Sequence, residues 1–108
     1  MIEFIKNPGG CVVSRNLLNG KGELKWCVRE KSCNAVDNGW RFFSSVNDEE
    51  YLRHAENMTI CNFNTVAEIE PAVLAIYDMP VGTDIVLIRE NGIRFYDDKT
   101  GEEVNIRE

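Results

Sequence analysis

Several segments of the chain alternate apolar and polar residues in the way that is typical of β-strands. The clearest of them contains Leu24, Trp26 and Val28 at every second position. A strand with this period of two residues has one apolar face and one polar face. We therefore expect these three side chains to point into the core, and Lys25 and Arg29 to face solvent.

A second strand is predicted where three aromatic residues, Trp40, Phe42 and Phe43, fall within four positions. Apolar side chains at both even and odd positions indicate a strand with apolar contacts on both faces. Tryptophan is also common in binding hot spots, but a core position is the better interpretation of Trp40. Shorter strands are predicted at residues 11–14 and 58–61, and an edge strand is predicted at Val104 and Ile106.

Two helical regions are indicated by residues that commonly begin helices. A capping residue followed by acidic side chains predicts a short helix over residues 47–54, because acids stabilise the positive end of the helix dipole. Thr65 and Glu68 have the spacing of a capping box, which predicts that another helix begins at Thr65. Pro71 has no amide hydrogen, so it should start a new helical segment that ends near Asp78.

A β-hairpin is predicted near the C-terminal end, where Asn91 and Gly92 separate two apolar segments. Both residues readily adopt positive φ, which favours a two-residue turn. That turn would place Ile88 opposite Phe95 on the inner face of the sheet.

The same register would place Arg89 opposite Arg94 on the outer face. Like charges in this position are compatible with an anionic partner. Extension of both side chains into water, or pairing with nearby acidic residues, is the simpler interpretation.

Together these elements predict an α+β fold, with residues 1–108 forming a single small domain. We expect a mainly antiparallel β-sheet with one or two short helices packed on one face. The 108 residues are 44% hydrophobic and 28% charged, which is typical of a globular protein with one core. Because no signal peptide or membrane span is recognisable, we expect a cytoplasmic protein with reduced cysteines and no membrane partner.

Net charge narrows the range of partners. The formal charge is -6; residues 1–54 carry a net charge of +1 and residues 55–108 carry -7. A protein of this sign repels phosphate backbones, so nucleic acid is not expected as a partner. An acidic surface attracts cationic partners, although it also simply keeps proteins soluble.

Recognisable catalytic and metal-binding patterns are mostly absent from the sequence. The four cysteines are widely spaced and His54 is the only histidine, so the spacing of a zinc site is missing. Cys33 or Cys61 could act as a nucleophile with His54 only if folding brought the two side chains together. Residues 19–22 lack the spacing of a phosphate-binding loop. We therefore expect neither a metal nor a cofactor.

One series of motifs resembles a known family. The motifs are Asp-Asn-Gly-Trp-Arg-Phe-Phe-Ser at residues 37–44, the acidic segment 48–51, and then residues 64–67, Pro71 and residues 78–83. In this order they make roughly residues 11–97 similar to the immunity protein 33 family of bacterial polymorphic toxin systems. The resemblance implies a protein that binds and neutralises a cognate toxin domain and is not an enzyme.

A protein with that role would occlude the active site of the toxin or a surface beside it. The candidate acidic contacts to a basic cleft are Asp48, Glu49 and Glu50, with Tyr51 as an anchor. Arg41 is a further candidate contact, because arginine is enriched in binding hot spots.

Two other classes of function remain open at this point. The first is a small-ligand-binding or regulatory module, whose pocket would be framed by the broken helix and the turn at residues 80–84. The second is an enzyme, which would depend on a cysteine or on His54.

Overall fold

The computed structural model describes residues 2–104, which form one seven-stranded β-sheet, three short α-helices and two 3₁₀ helices. The strands are β1 (Gly10–Ser14), β2 (Leu24–Arg29), β3 (Asp37–Ser44), β4 (Met58–Asn62), β5 (Asp84–Arg89), β6 (Ile93–Asp97) and β7 (Glu103–Val104). The α-helices are α1 (Arg15–Leu18), α2 (Glu49–Leu52) and α3 (Phe63–Ile69), and the 3₁₀ helices are Ala55–Asn57 and Pro71–Ala75.

The strands follow the order β4-β1-β3-β2-β5-β6-β7 in the sheet. The β1–β3 pair is parallel and the other neighbouring pairs are antiparallel. This mainly antiparallel sheet with short helices confirms the predicted α+β class. The described part of the last strand contains Val104, whereas Ile106 lies outside the described residues.

The core lies between one face of the sheet and the segment that contains α3 and the second 3₁₀ helix. Trp40 and Phe42 are fully buried there, and their rings stack with centroids 5.7 Å apart. Phe63 of α3 packs against Phe42 at 5.9 Å and against Tyr77 at 4.7 Å. The indole N–H of Trp40 donates to the carbonyl oxygen of Tyr77 over 3.1 Å. The assignment of Trp40 to the core is confirmed.

A β-bulge in β2 makes the predicted orientation of that strand wrong. The pairing with β3 shifts between Leu24 and Trp26, so one extra residue is inserted there. An extra residue turns the following side chains to the opposite face of the sheet. Leu24 and Cys27 consequently point into the core, whereas Trp26 and Val28 lie half-buried on the other face.

The β5–β6 hairpin forms as predicted, but its register differs by one residue. Asn91 and Gly92 both have positive φ, at 53° and 100°. The loop nevertheless contains three residues, because Arg89 is paired with Ile93. Leu87, and not Ile88, therefore faces Phe95 in the core.

The predicted pairing of the two hairpin arginines is also wrong as a result. Arg89 lies on the helical side, where it donates to the Glu70 carboxylate over 2.8 Å and to the Leu24 carbonyl over 2.9 Å. Arg94 lies on the other face and forms an ion pair with Glu103 at 3.6 Å. The postulated site for an anionic partner therefore does not form.

The helix that was expected to begin at Thr65 begins two residues earlier. The side chain of Asn62 accepts a hydrogen bond from the backbone N–H of Asn64 over 2.8 Å, so Asn62 is the capping residue of α3. The break at Pro71 is confirmed, because this residue opens the second 3₁₀ helix. The Glu70 carboxylate caps that helix by accepting from Ala72 N–H.

Candidate functional site

The face of the sheet opposite the core is only partly covered. Trp26 lies beside Phe43 of β3 and beside Val86 of β5, which in turn lies beside Tyr96 of β6. Side chains that oppose each other on neighbouring strands point to the same face. All four are only half-buried. This surface, here called the open face, exposes aromatic and aliphatic area.

A groove of about 360 Å³ lies between α2 and the open face. Its apolar lining consists of Trp26, Val28 and Phe43 from the sheet and Leu52 from α2. Its acidic lining consists of Asp48 and Glu49 at the start of α2 and Asp84 and Asp98 from the hairpin side. The groove therefore combines apolar contact area with negative charge.

Buried hydrogen bonds hold α2 in place beside the groove. The hydroxyl of Ser44 and the side-chain amide of Asn47 both donate to Oδ1 of Asn16, over 2.9 and 2.8 Å. Oδ1 of Asn47 accepts from the backbone N–H of Ser44 over 2.8 Å. The three residues link the end of β3, the α2 segment and α1. Asp48 then caps α2 by accepting from the backbone N–H of Tyr51 over 2.8 Å.

Tyr51 and Glu50 make their contacts within the chain. The Tyr51 hydroxyl accepts from Asn16 N–H over 3.2 Å and donates to the Asn57 carbonyl over 3.4 Å. Glu50 is exposed and forms ion pairs with Arg53 and His54, each at 3.2 Å. Tyr51 thus joins α2 to its neighbours, while Glu50 lies outside the lining of the groove.

Arg41 is committed to an ion pair on the open face. Its guanidinium donates to both carboxylate oxygens of Asp37 over 2.9 Å, and its Nε donates to Glu30 over 3.1 Å. The residue is only 7% exposed. Because Asp37 accepts from Arg41 and also from the backbone N–H groups of Cys33 and Gly39, the pKa of its carboxyl is well below the usual range.

The structure therefore brings together only some of the residues that the sequence identified. Asp48 and Glu49 line the groove, Glu50 lies just outside it, and Tyr51 supports α2 from within. Arg41 is not part of the groove lining and is bonded to Asp37.

Two groove carboxylates were missed by the sequence reasoning. Asp84 and Asp98 meet because the hairpin brings the start of β5 beside the end of β6, where Asp98 N–H donates to the Asp84 carbonyl over 2.9 Å. Burial raises the pKa of the Asp84 carboxyl, and the charges of Asp98 and Asp97 raise it further, while Lys99 opposes them. The correct hairpin register would have revealed this juxtaposition.

The thiols and the imidazole do not form a common site. Cys11 is buried opposite Cys61 of β4, where its thiol contacts the Cys61 carbonyl at 3.5 Å. Cys33 is exposed and lies 3.5 Å from a guanidinium nitrogen of Arg41. His54 instead contacts the carboxylates of Glu50 and Glu56. Over residues 2–104, no group of three or more His, Cys, Asp or Glu side chains is arranged to hold a metal ion.

Helix length also bears on membrane association. None of the helices in the described part of the chain is both long enough and apolar enough to pass through a bilayer.

The described residues thus combine a small α+β fold with an apolar groove that is bordered by acids. A family model for the immunity protein Imm33 domain matches residues 11–97, from β1 to the end of β6, and the chain belongs to this family. The family suggests a role in immunity against a toxin. Neither the curated proteins nor the solved structures gave a significant match.

Proposed function

We propose that the chain is a cytoplasmic bacterial immunity protein that binds a cognate toxin domain and neutralises it by covering a surface that the toxin needs. The observation that carries this proposal is the family match over residues 11–97. The groove between α2 and the open face is consistent with it, because it offers both apolar area and charge to a protein partner. The proposed mechanism requires binding alone and no covalent chemistry.

The carboxylates of α2 are the proposed direct contacts. Asp48, Glu49 and Glu50 are exposed, so they are accessible to a basic cleft on a toxin. Complementary charge steers association and fixes the orientation of the partners. Tyr51 is proposed to support this surface, because its hydroxyl bonds to Asn16 and Asn57 join α2 to neighbouring segments. Arg41 is proposed to act farther away, where its ion pair with Asp37 orders the start of β3.

The area available is sufficient for a stable complex. A standard protein interface buries about 800 Å² on each partner. The solvent-accessible surface of the described structure is 6669 Å². One face of the molecule therefore suffices, and the partner need not enclose the protein.

The proposal is tested by protection in cells and by binding in solution. The chain is co-expressed in turn with each toxin domain found near its gene in the native host, and the purified proteins are mixed to measure stoichiometry. We expect restored growth and a complex of defined stoichiometry. Absence of both binding and protection would contradict the proposed function, and stabilisation by a metabolite without a protein partner would favour a ligand-binding module.

Two variants test whether neutralisation of the toxin needs catalysis as well as binding. His54→Ala and Cys33→Ser alter exposed residues, so both variants should fold, protect cells and bind the toxin as the parent does. A thermal melt provides the folding control. Loss of protection by a folded variant that still binds the toxin would indicate chemistry at that side chain.

A further inference from the structure

The uncovered apolar residues of the groove are placed there by a specific feature of the backbone. The bulge in β2 turns Trp26 away from the core and onto the open face, next to Phe43. Trp26 remains half-buried, whereas Leu24 and Cys27 on the other face of the same strand are buried. Covering large aromatic side chains is a main source of binding energy in protein interfaces. The open face thus offers contact area that a partner can bury.

The charge around this area favours one kind of partner. Within residues 2–104, none of the four carboxylates of the acidic lining takes part in an ion pair; they are Asp48, Glu49, Asp84 and Asp98. Two of them, Asp84 and Asp98, lie on paired residues at the end of the hairpin, where Asp98 N–H donates to the Asp84 carbonyl over 2.9 Å, so their like charges repel. Burial and the charge of Asp98 both raise the pKa of the Asp84 carboxyl. A cation placed between them would relieve this repulsion.

Two lysines of the chain act on residues of the groove lining. The ammonium of Lys25 lies 5.0 Å from the centroid of the Trp26 ring, so the indole already attracts a positive group. Lys99 partly offsets the rise in the pKa of the Asp84 carboxyl that burial and the charge of Asp98 cause. Neither lysine forms an ion pair with a carboxylate of the groove within the described chain.

We propose that the groove binds a basic segment of the toxin, with a lysine or arginine side chain of that segment entering between α2 and the β5–β6 hairpin. The aliphatic stem of that side chain lies on Trp26 and Phe43, and its charged end meets the acidic lining. This inference rests on the proposed function and adds the binding surface and the chemistry of the partner.

Other occupants fit the groove less well. A second copy of this chain in a symmetric contact would place the same acidic lining against itself. A phosphate backbone would likewise meet charge of its own sign. A basic segment of a protein satisfies both the apolar and the acidic parts of the lining.

The test measures binding of the purified full chain to the toxin domain by calorimetry. The double variant Glu49→Gln/Asp98→Asn neutralises two exposed acids, one from each side of the groove. We expect Kd to rise at least tenfold, because these charges would face a cation in the complex. The matched control is Glu68→Gln paired with Asp78→Asn, which makes the same change in net charge at exposed positions outside the groove lining. The control should leave Kd within about twofold.

A second measurement identifies the partner group. Each lysine and arginine of the toxin surface is replaced by alanine, and each variant is measured against the parent and against Asp98→Asn. One basic residue should couple to Asp98 in this double-mutant cycle. Trp26→Leu should also raise Kd, with a thermal melt to verify that the variant is folded.

Failure of the groove proposal and failure of the proposed function give different results. If the toxin binds the parent and the groove variant equally well, or if no basic residue couples to Asp98, the groove is not the docking surface, although the immunity role stands. If the parent itself neither binds nor protects, the proposed function fails.

Discussion

At the scale of single residues, the pair formed by Arg41 and Asp37 combines burial with charge. The two side chains are 8% and 10% exposed and are joined by two hydrogen bonds. Removing one member of a buried pair leaves the other charge without compensation. Asp37 also accepts from the backbone N–H groups of Cys33 and Gly39, so it orders the chain that leads into β3. The pair is therefore a structural element of the open face.

Replacing Asp37 with asparagine should lower the free energy of unfolding by about 3 kcal/mol at pH 7. The Arg41 guanidinium holds the pKa of the Asp37 carboxyl in the folded protein below its ordinary value of 3.8. The stabilisation is therefore present above pH 3.8 and is lost as the pH falls below it, because the unfolded chain binds the proton first. Urea unfolding of parent and variant should show the difference narrowing by about 1 kcal/mol between pH 7 and pH 3.

The control for this change is Asp78→Asn, which alters an exposed acid. Its effect on stability should stay below about 0.5 kcal/mol at both pH values. A difference between the Asp37 variant and the parent that did not depend on pH would show that the carboxylate charge is not what stabilises the fold.

At the scale of elements, α2 depends on its surroundings for stability. A four-residue helix is too short to be stable alone. Its position is fixed by the buried bonds among Asn16, Ser44 and Asn47, and by the Asp48 cap. The placement of the acidic side of the groove thus depends in part on Asn16 and Ser44, which lie outside the groove lining.

The variant Asn47→Ala should lower the free energy of unfolding by about 1 to 3 kcal/mol, because Ser44 N–H and Asn16 Oδ1 each lose a buried partner. It should also weaken toxin binding, since α2 would no longer be held against the sheet. Chemical unfolding and calorimetry measure the two effects. Asn19→Ala, at an exposed position, is the control and should change neither. Unchanged stability in the Asn47 variant would show that this network does not fix α2.

The register of the β5–β6 hairpin is not determined by its turn residues alone. Asn91 and Gly92 take positive φ as predicted, yet the loop closes on Arg89 and Ile93 and so contains one residue more than the turn signal implied. A shift of one residue exchanges the two faces of a strand. Leu87 therefore lies opposite Phe95 in the core, and Arg89 and Arg94 lie on opposite faces of the sheet.

At the scale of the whole molecule, net charge and groove charge have the same sign. The formal charge of the chain is -6, and the groove contributes four carboxylates. Both charges attract a basic partner over long distances. This attraction speeds association and is screened by salt.

The association rate with the toxin should therefore fall by about tenfold or more between 0.05 M and 0.5 M salt, while the dissociation rate changes less. Stopped-flow fluorescence at several salt concentrations measures both rates, with a neutral osmolyte as the control for viscosity. An association rate that was independent of salt would contradict electrostatic steering.

Local signals in the amino-acid sequence were enough to predict the number and order of most elements. Turn residues, capping residues and Pro71 act on the backbone within a few positions, so their effects can be read from neighbouring residues. The motifs from residue 37 onward also led to the correct family. Asp48 and Glu49 could be identified because they belong to a run of consecutive acidic residues at the start of a predicted helix.

The pairing of distant strands in the folded chain fixes which side chains share a face and which acids lie together. The bulge that moves Trp26 to the open face and the register that joins Asp84 to Asp98 both depend on how neighbouring strands pair. Strand pairing is settled by packing over the whole sheet, and a one-residue change reverses every orientation after it. The groove, which is built from four separate segments, follows from that pairing and not from any local pattern.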